Sequence, residues 1–197
     1  MPENSESELV ARFKSGDLAV FNTLTRMWYE KILGLLYRIL GDIEEAEDVC
    51  QKTFLAVYSR LHQLKDNDKF KPWIYKIASN YAMDQLRDRK TSFRAAGRPN
   101  DFEGTEEPPE ADPVDLERRI DHSALRNIFV EMLGKLPADQ KVVIVMKLYQ
   151  DLKFTEIAEV LDVSINTVKT RMYTGLQSLK GHLQKNRIIE EILKNEM

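Results

Sequence analysis

The apolar residues of this chain recur at helical spacing, and that recurrence is interrupted once. Spacings of three and four residues place apolar side chains on one face of a helix. Such residues run from Leu9 to about Arg89, stop between Thr91 and Pro113, and begin again at Leu116. No stretch alternates apolar and polar residues over a useful length, as a half-buried strand would. The pattern therefore predicts an all-α fold in two parts.

The interruption is an acidic segment that contains prolines. From Pro99 to Asp115 there is no Lys or Arg. The acidic residues of this segment are Asp101, Glu103, Glu106, Glu107, Glu110, Asp112 and Asp115. A segment with few apolar groups and a high net charge cannot bury enough surface to fold by itself. We therefore predict two small helical domains, over residues 1–90 and 116–197, joined by a flexible acidic linker over 91–115.

The composition excludes several classes of protein. Of the 197 residues, 43% are hydrophobic, which suits a folded chain, and the formal net charge is −3. No apolar run reaches the roughly 18 residues that a membrane-spanning helix needs, and the polar N-terminus has no secretory signal. The single cysteine, Cys50, cannot form an internal disulfide, and the histidines lie far apart in sequence. We therefore expect a cytoplasmic protein with no membrane insertion, no metal site and no cofactor.

Several helix ends are marked in the sequence. Asp17 and Asp42 each follow a glycine and are suited to cap the helix that comes next. Gly41 is suited to end the preceding helix in a left-handed conformation. Glu45, three residues after Asp42, completes the pattern of a capping box. These residues predict helices that start just after Asp17 and Asp42.

The C-terminal part contains a stretch, Phe154 to Lys169, with the pattern of a helix-turn-helix. Thr155 is predicted to cap its first helix and Ser164 its second. Ala158 is small enough to let the second helix cross closely. The pattern predicts DNA binding, a function that many repressors and activators share.

The second helix of this motif carries no acid, although the protein as a whole is acidic. Its apolar stripe consists of Ile165, Val168, Met172, Leu176, Leu179 and Leu183. No Asp or Glu occurs from Ser164 to Lys185, and a major groove accepts a helix with short polar side chains and positive flanks. The candidate DNA-binding residues are Asn166, Thr167, Lys169, Thr170, Arg171 and Tyr173. The alternative is an ordinary amphipathic helix with a solvated polar face.

In the N-terminal part, aromatic and basic residues alternate from Lys69 to Lys90. This combination binds single-stranded nucleic acid, because bases stack on aromatic rings and phosphates pair with Lys and Arg. The alternative is that the apolar residues of the stretch simply form core, which we expect for Ile74 and Ile77. Packing alone does not explain the basic residues of the stretch or Asn80.

Three motifs in this order resemble the extracytoplasmic-function group of bacterial sigma factors. The first runs from Glu44 to Leu55, and the second from Trp73 to Asn80 with Asp84 to Arg87. The third joins Leu136-Pro137 to the helix-turn-helix that ends in Thr167–Arg171. Together the motifs cover most of the chain. The resemblance implies a sigma factor that directs core RNA polymerase to promoters and catalyses no reaction.

The resemblance also implies roles for individual residues. The residues implied to contact the largest polymerase subunit are Asp48, Gln51 and Phe54. The residues implied to bind and melt the −10 element are Lys69, Lys71, Trp73, Lys76, Asn80, Asp84 and Arg87. The six candidates in the helix-turn-helix would bind the −35 element. The implied partners are core RNA polymerase, promoter DNA and an anti-sigma factor, and the free protein would be a monomer.

Two positions depart from the usual pattern of the group. Lys52 stands where an acid is usual, and Thr174-Gly175-Leu176-Gln177 follows Tyr173 where arginines are usual. Fewer cations on the −35 surface mean fewer phosphate contacts. We therefore predict a shallow salt dependence of promoter binding.

Three other functions fit parts of the sequence. A stand-alone DNA-binding regulator would use the same helix-turn-helix, would have a ligand or dimerisation domain over residues 42–90, and would bind duplex DNA tightly without polymerase. An enzyme would need a catalytic group, but Cys50 has no histidine near it in sequence and there is no glycine-rich phosphate loop. A structural helical adaptor would leave the acid-free face of the last helix unused.

Overall fold

A computed structural model of the chain describes residues 5–95 and 129–185, and the secondary structure in both ranges is helical. The N-terminal range contains α1 (Glu6–Lys14), α2 (Val20–Leu40), α3 (Ile43–Arg60) and α4 (Phe70–Ala95), with two short 3₁₀ turns between α3 and α4. The C-terminal range contains α5 (residues 129–134), α6 (Ala138–Tyr149), α7 (Phe154–Leu161) and α8 (Ile165–Lys185). The predicted all-α fold is confirmed.

The predicted linker and the predicted start of the second domain lie largely outside these ranges, which leave out residues 96–128 and 186–197. α4 continues past Arg89, where the apolar periodicity ends, to Ala95. A helix can outlast its apolar stripe because its backbone hydrogen bonds are local. Within residues 5–95 and 129–185, none of the helices has the length and apolar character that crossing a bilayer requires.

Of the first two helices, α1 begins at a side-chain cap and α2 does not. Ser5 caps α1 by accepting the Glu8 N–H at 3.2 Å. The prediction that Asp17 caps α2 is wrong, because its carboxylate pairs with the Arg12 guanidinium at 2.6 Å and α2 begins only at Val20. A side chain that is suited to cap a helix can instead bind another group that the fold brings near.

The junction between α2 and α3 largely follows the prediction. Gly41 adopts a φ of +80°, and its N–H donates to the Tyr37 carbonyl at 2.8 Å. The Asp42 carboxylate accepts the Glu45 N–H at 2.8 Å and so caps α3. The Glu45 carboxylate does not complete the capping box, because it accepts the Arg89 Nε–H at 2.9 Å. The second half of the predicted box therefore ties α3 to α4 instead.

The core of the N-terminal range is built around Trp28. Its ring meets the rings of Phe70 and Tyr75 edge to face, with centroids 5.7 and 5.5 Å apart. The same core cluster contains the fully buried side chains of α2, which are Leu24, Ile32, Leu35, Leu36, Ile39 and Leu40. Because burial of apolar surface is the main favourable term in folding, this cluster holds the long helices α2, α3 and α4 in place.

The two described ranges pack against each other. α2 contacts α6, and α4 contacts both α6 and α7. The Tyr75 hydroxyl of α4 donates to Gln150 Oε1, just after α6, at 2.6 Å. The Lys141 ammonium of α6 donates to the Ile39 carbonyl near the end of α2 at 3.0 Å. The sequence, with its two parts and a tether, does not predict this contact.

Lys141 is the charged residue most deeply placed in this contact, with 6% of its surface exposed. Burial lowers its pKa to about 8, and the nearby charge of Arg89 adds to the lowering. Its ammonium lies at the C-terminal end of α2, where the helix dipole favours a cation. The sequence signal for it is its position directly before Val142–Met146, a run in which every side chain is buried.

Candidate nucleic-acid interface

α7 and α8 form the predicted helix-turn-helix, although α7 starts differently from the prediction. The helix begins at Phe154, so Thr155 lies inside the first turn and is not the cap. The Glu156 carboxylate instead accepts the Lys153 N–H at 2.7 Å. A glutamate at the third position of a helix can thus accept a hydrogen bond from the backbone N–H of the residue that precedes the helix.

The turn into α8 follows the prediction more closely. Asp162 ends α7 with a φ of +54°, a left-handed conformation that aspartate tolerates better than most residues. Ser164 then caps α8, because its Oγ accepts the Thr167 N–H at 3.0 Å. The Thr167 hydroxyl lies 2.8 Å from the same Oγ. Thr167 is therefore engaged at the cap and is half-buried.

The remaining candidates of α8 divide between an open face and a packed flank. Asn166, Lys169, Thr170 and Tyr173 are exposed, and Tyr173 keeps 65% of its surface in solvent. The residues of the predicted stripe that are buried are Val168, Met172 and Leu179. Because the exposed four share one side of the helix, they can reach a single groove together.

Arg171 stands apart from that face. Its Nε lies 3.1 Å from the Asp139 carboxylate in the first turn of α6, and its side chain is 28% exposed. One turn further along α8, a Cβ on Gly175 would come within 2.6 Å of Ile144 Cδ1 and 3.3 Å of Gln140 Cβ. Gly175 therefore lets α8 approach α6 closely, and a Cβ at this position would displace the end of the Ile144 side chain.

The candidates for the −10 element lie along α4 and just before it. From Trp73 onward they follow at spacings of three and four residues, which place them on one side of the helix. Lys76 is half-buried and Asn80 is exposed. Farther along, the Arg87 guanidinium pairs with the Asp84 carboxylate at 2.8 Å. This side of α4 therefore combines partly covered aromatic surface with exposed polar groups.

The C-terminal range contacts the first of the candidates for the −10 element. Lys69, just before α4, pairs with Glu159 of α7 at 3.1 Å. Lys71 and Trp73 are half-buried, and the Trp73 ring packs on Phe70 with centroids 6.1 Å apart. Of the seven candidates, Lys69 is the one that the structure shows bound to the helix-turn-helix.

On the acidic helix α3, two of the three candidates for contact with core polymerase have exposed side chains. Asp48 and Gln51 are exposed. Phe54 is buried and stacks on Tyr29 with centroids 6.2 Å apart. The neighbouring Leu55 is 64% exposed instead, although the sequence did not single it out.

A shallow groove between α3 and α4 lies next to these residues. It is lined by Lys52, Leu55, Ala56, Ser59, Arg60 and Tyr81. Lys52, the departure noted in the sequence, therefore lies on the same groove as Leu55. The groove was not predicted, because α3 and α4 contribute to it from opposite sides of a long turn.

Comparison with known proteins assigns both ranges. Residues 24–92 match the family Sigma-70 region 2, and residues 126–179 match the family Sigma-70, region 4. Over 177 residues the chain is 32% identical to the ECF RNA polymerase sigma factor SigW of Bacillus subtilis, a match that covers 89% of this chain and 95% of that protein. The chain belongs to the ECF RNA polymerase sigma factors.

A further relative agrees in sequence, and two solved structures agree in fold. The RNA polymerase sigma-H factor of Pseudomonas aeruginosa is 27% identical over 192 residues, which cover 93% of this sigma factor and 96% of that one. The structure of CnrH in complex with the cytosolic domain of CnrY shares the fold with a TM-score of 0.66 at 23% identity, over 92% of this chain and 98% of that one. The sigma factor RpoE in complex with the anti-sigma factor NepR from Bartonella quintana also gives 0.66, at 18% identity, over 83% and 96%.

The family assignment decides between the functions that the sequence left open. As a sigma factor, the protein directs core RNA polymerase to promoters for transcription initiation, with region 2 and region 4 as its two DNA-binding parts. Residues 42–90, which a stand-alone regulator would use as a ligand or dimerisation domain, fall within the region 2 match.

Sigma factors are DNA-binding transcription regulators and not catalysts. Cys50 is fully buried, and burial with the nearby carboxylates of Glu30 and Glu47 raises its pKa to about 12. The thiol is therefore protonated at neutral pH and is a poor nucleophile. Across residues 5–95 and 129–185, no three His, Cys, Asp or Glu side chains are grouped as a metal site would require.

Proposed function

We propose that α8 binds the −35 element with Asn166, Lys169, Thr170 and Tyr173 facing the major groove. The observation that carries this proposal is that these four side chains are exposed on one face of a helix without acids. Short polar side chains near the N-terminus of a recognition helix can reach base edges, while a lysine binds phosphate. Thr167 would contribute by holding the cap that fixes the first turn.

The −10 element binds, in this proposal, along the side of α4 that carries the regularly spaced candidates. These are Trp73, Lys76, Asn80, Asp84 and Arg87, with Lys69 and Lys71 just before them. Stacking on an aromatic side chain contributes about 1–3 kcal/mol per base, which offsets the cost of unstacking a base from the duplex. The surface therefore suits melted DNA better than intact duplex.

The exposed face of α3 is the proposed contact with core polymerase. Asp48 and Gln51 supply polar groups, and Leu55 supplies exposed apolar surface beside them. Phe54, the third residue of the predicted set, would support this face from within the core through its stack on Tyr29.

The two regions separate, in the same proposal, when the sigma factor binds a promoter. The −35 and −10 elements lie about 25 base pairs apart, or about 85 Å at roughly 3.4 Å per base pair. In the structure, Lys69 of region 2 and Glu159 of region 4 are 3.1 Å apart. Neither surface can then reach its element while the other is bound. The predicted linker over residues 91–115 has about 25 residues and can extend to about 80 Å, which suits such a separation.

The cellular setting belongs to the same proposal. The protein would act in the cytoplasm, catalyse no reaction, be a monomer when free and be held inactive by an anti-sigma factor. Support for the last point comes from the two solved relatives, one bound to the cytosolic domain of CnrY and the other to the anti-sigma factor NepR.

The test is transcription in vitro from a pooled promoter library, with bacterial core polymerase in the presence and absence of this protein, followed by sequencing of the 5′ ends. We expect new start sites that share sequences near −35 and −10. The Tyr173→Ala variant should lose preference at −35 only, and Asn80→Ala at −10 only. Glu131→Gln, an exposed change away from both surfaces, should reproduce the native pattern.

A different result would favour the stand-alone regulator. In that case no new start sites appear with core polymerase, while the purified protein binds a defined duplex by itself. If start sites appear but both variants change the −35 and −10 preferences equally, the assignment of −35 binding to α8 and −10 binding to α4 is wrong.

A further inference from the structure

Arg171 occupies the flank of α8 that faces α6, not the face offered to solvent. It follows the fully buried Val168 by three residues and precedes the tightly packed Gly175 by four. Residues at these spacings lie on the same side of a helix. Lys169 and Tyr173, by contrast, lie on the exposed face.

The guanidinium of Arg171 already has a carboxylate partner. Its Nε lies 3.1 Å from Asp139 Oδ2, with 28% of the arginine side chain and 44% of the aspartate side chain exposed. A phosphate that approached Arg171 would also approach the Asp139 carboxylate, and the repulsion would cancel much of the attraction. The pair therefore offers DNA little net positive charge.

The position of the pair in the helix contact explains what it does. At Gly175 the two helices approach so closely that a Cβ would come within 2.6 Å of Ile144 Cδ1. One turn toward the N-terminus of α8, the helices are joined by the Arg171–Asp139 ion pair. The glycine and the ion pair together fix the angle at which the N-terminal half of α8 leaves α6.

We propose that Arg171 and Asp139 are positioning residues, which orient the recognition helix and do not bind DNA themselves. The proposal rests on the proposed role of α8 at the −35 element. It assigns the phosphate contact to Lys169, and it revises the role that the sequence suggested for Arg171. A partly exposed ion pair such as this one adds little to overall stability. Its effect is on the orientation of Asn166, Thr170 and Tyr173 in the groove, where small displacements weaken every contact at once.

The salt dependence of binding separates a phosphate contact from a positioning residue. Each phosphate contact contributes about 0.9 to the slope of log K against log salt. The experiment measures binding of the full chain with core polymerase to a promoter duplex between low and moderate salt. We expect Lys169→Ala to lower the slope by about one, and Arg171→Gln to weaken binding roughly tenfold while leaving the slope unchanged.

Asp139 provides the second arm of the test. Asp139→Asn should match Arg171→Gln in affinity and slope, and the double variant should be no weaker than either single variant, because the two residues act as one unit. Exchanging the charges, with Asp139→Arg and Arg171→Asp together, should restore most of the binding. Glu131→Gln breaks the Glu131–Lys135 ion pair elsewhere in the C-terminal range and serves as the matched control.

Two results would overturn the proposal. If Arg171→Gln lowers the slope by about one, Arg171 contacts phosphate directly. If Asp139→Asn leaves binding unchanged or strengthens it, the ion pair does not position α8. Circular dichroism of each variant checks that α8 remains folded, and Arg171→Lys supplies a milder change. Failure of Lys169→Ala to affect binding would count against the role of α8 itself, and not against the pair.

Discussion

The two DNA-facing helices of this sigma factor differ in how far the rest of the protein occupies them. On α8 the side chains of Lys169, Thr170 and Tyr173 are exposed. At the start of α4, Lys69 is paired with Glu159 of α7, and the Tyr75 hydroxyl is bonded to Gln150. The packed arrangement therefore leaves the proposed −35 surface open and engages part of the proposed −10 surface.

The difference follows from what each surface has to bind. A helix that enters the major groove needs polar side chains on a face that can stay solvated without cost. A surface for unstacked bases needs aromatic rings, and such rings tend to be partly buried when no DNA is present. Trp73 is half-buried against Phe70 for this reason. A surface for melted DNA is thus more readily covered by another part of the protein.

The largest expected effect is that substitutions on the two surfaces weaken binding to two different DNA probes. Lys169→Ala with Tyr173→Ala should weaken holoenzyme binding to a −35 duplex by about 30-fold or more, since two contacts of about 1–3 kcal/mol each are lost. Lys76→Ala with Asn80→Ala should instead weaken binding to a single-stranded −10 oligonucleotide. Fluorescence anisotropy with both probes measures this. If either pair affected both probes equally, the comparison between α4 and α8 would not hold.

Lys141 should make the stability of the packed arrangement depend on pH. Its folded-state pKa of about 8 lies below the ordinary value of 10.5, so between these values the folded protein binds fewer protons than the unfolded chain. The contribution of Lys141 to stability therefore rises with pH in this window, by at most about 3 kcal/mol at about 1.4 kcal/mol per pKa unit. Cys50, whose folded-state pKa is raised, acts in the opposite direction above pH 9, and it does so in the native protein and in Lys141→Met alike. Urea unfolding of both proteins at several pH values should show the difference in stability between them change in favour of the native protein as the pH rises.

A control variant tests whether the effect belongs to the buried position. Lys180 is exposed on α8, so Lys180→Met should leave the pH profile as it is in the native protein. If the stability of Lys141→Met depends on pH in the same way as that of the native protein, the pH dependence belongs to other groups and not to Lys141.

One helix cap in each region allows a matched comparison of the two regions, with a smaller expected effect on binding. Ser164→Ala and Asp42→Ala each remove one capping hydrogen bond and should each cost about 1 kcal/mol of stability. Ser164→Ala should also weaken −35 binding, because Asn166 lies in the turn that frays. Asp42→Ala should leave −35 binding unchanged. Equal losses of duplex binding in both variants would show that the effect is one of general stability.

The smallest expected effect concerns the contact between the regions. Glu159→Lys places a like charge beside Lys69 and leaves every proposed −10 residue intact. Because an exposed ion pair contributes at most about 1 kcal/mol, the variant should bind a single-stranded −10 oligonucleotide two- to fivefold more tightly in the absence of polymerase. Glu131→Lys makes the same charge change beside Lys135 and should have no effect. Tighter binding in both variants would point to net charge instead.

Several local features were predictable from the sequence because they depend on near neighbours. The cap at Ser164 and the left-handed Gly41 are set by residues within one helical turn. The predictions for Asp17 and Thr155 were wrong for a related reason, which is competition among neighbouring groups: the Asp17 carboxylate pairs with Arg12, and Glu156 rather than Thr155 accepts the backbone N–H at the start of α7. Local rules therefore name candidates, and the available partners decide among them.

The sequence by itself determined an all-α chain in two parts, a helix-turn-helix, and a last helix whose polar face carries no acid. These follow from hydrogen bonds and apolar spacing that act over three or four residues. Only the tertiary structure decided that Lys141 reaches the Ile39 carbonyl of the other region, that Phe54 points inward while Leu55 stays exposed, and that Arg171 is held by Asp139. Such contacts join side chains far apart in the chain, so their formation depends on how whole helices pack.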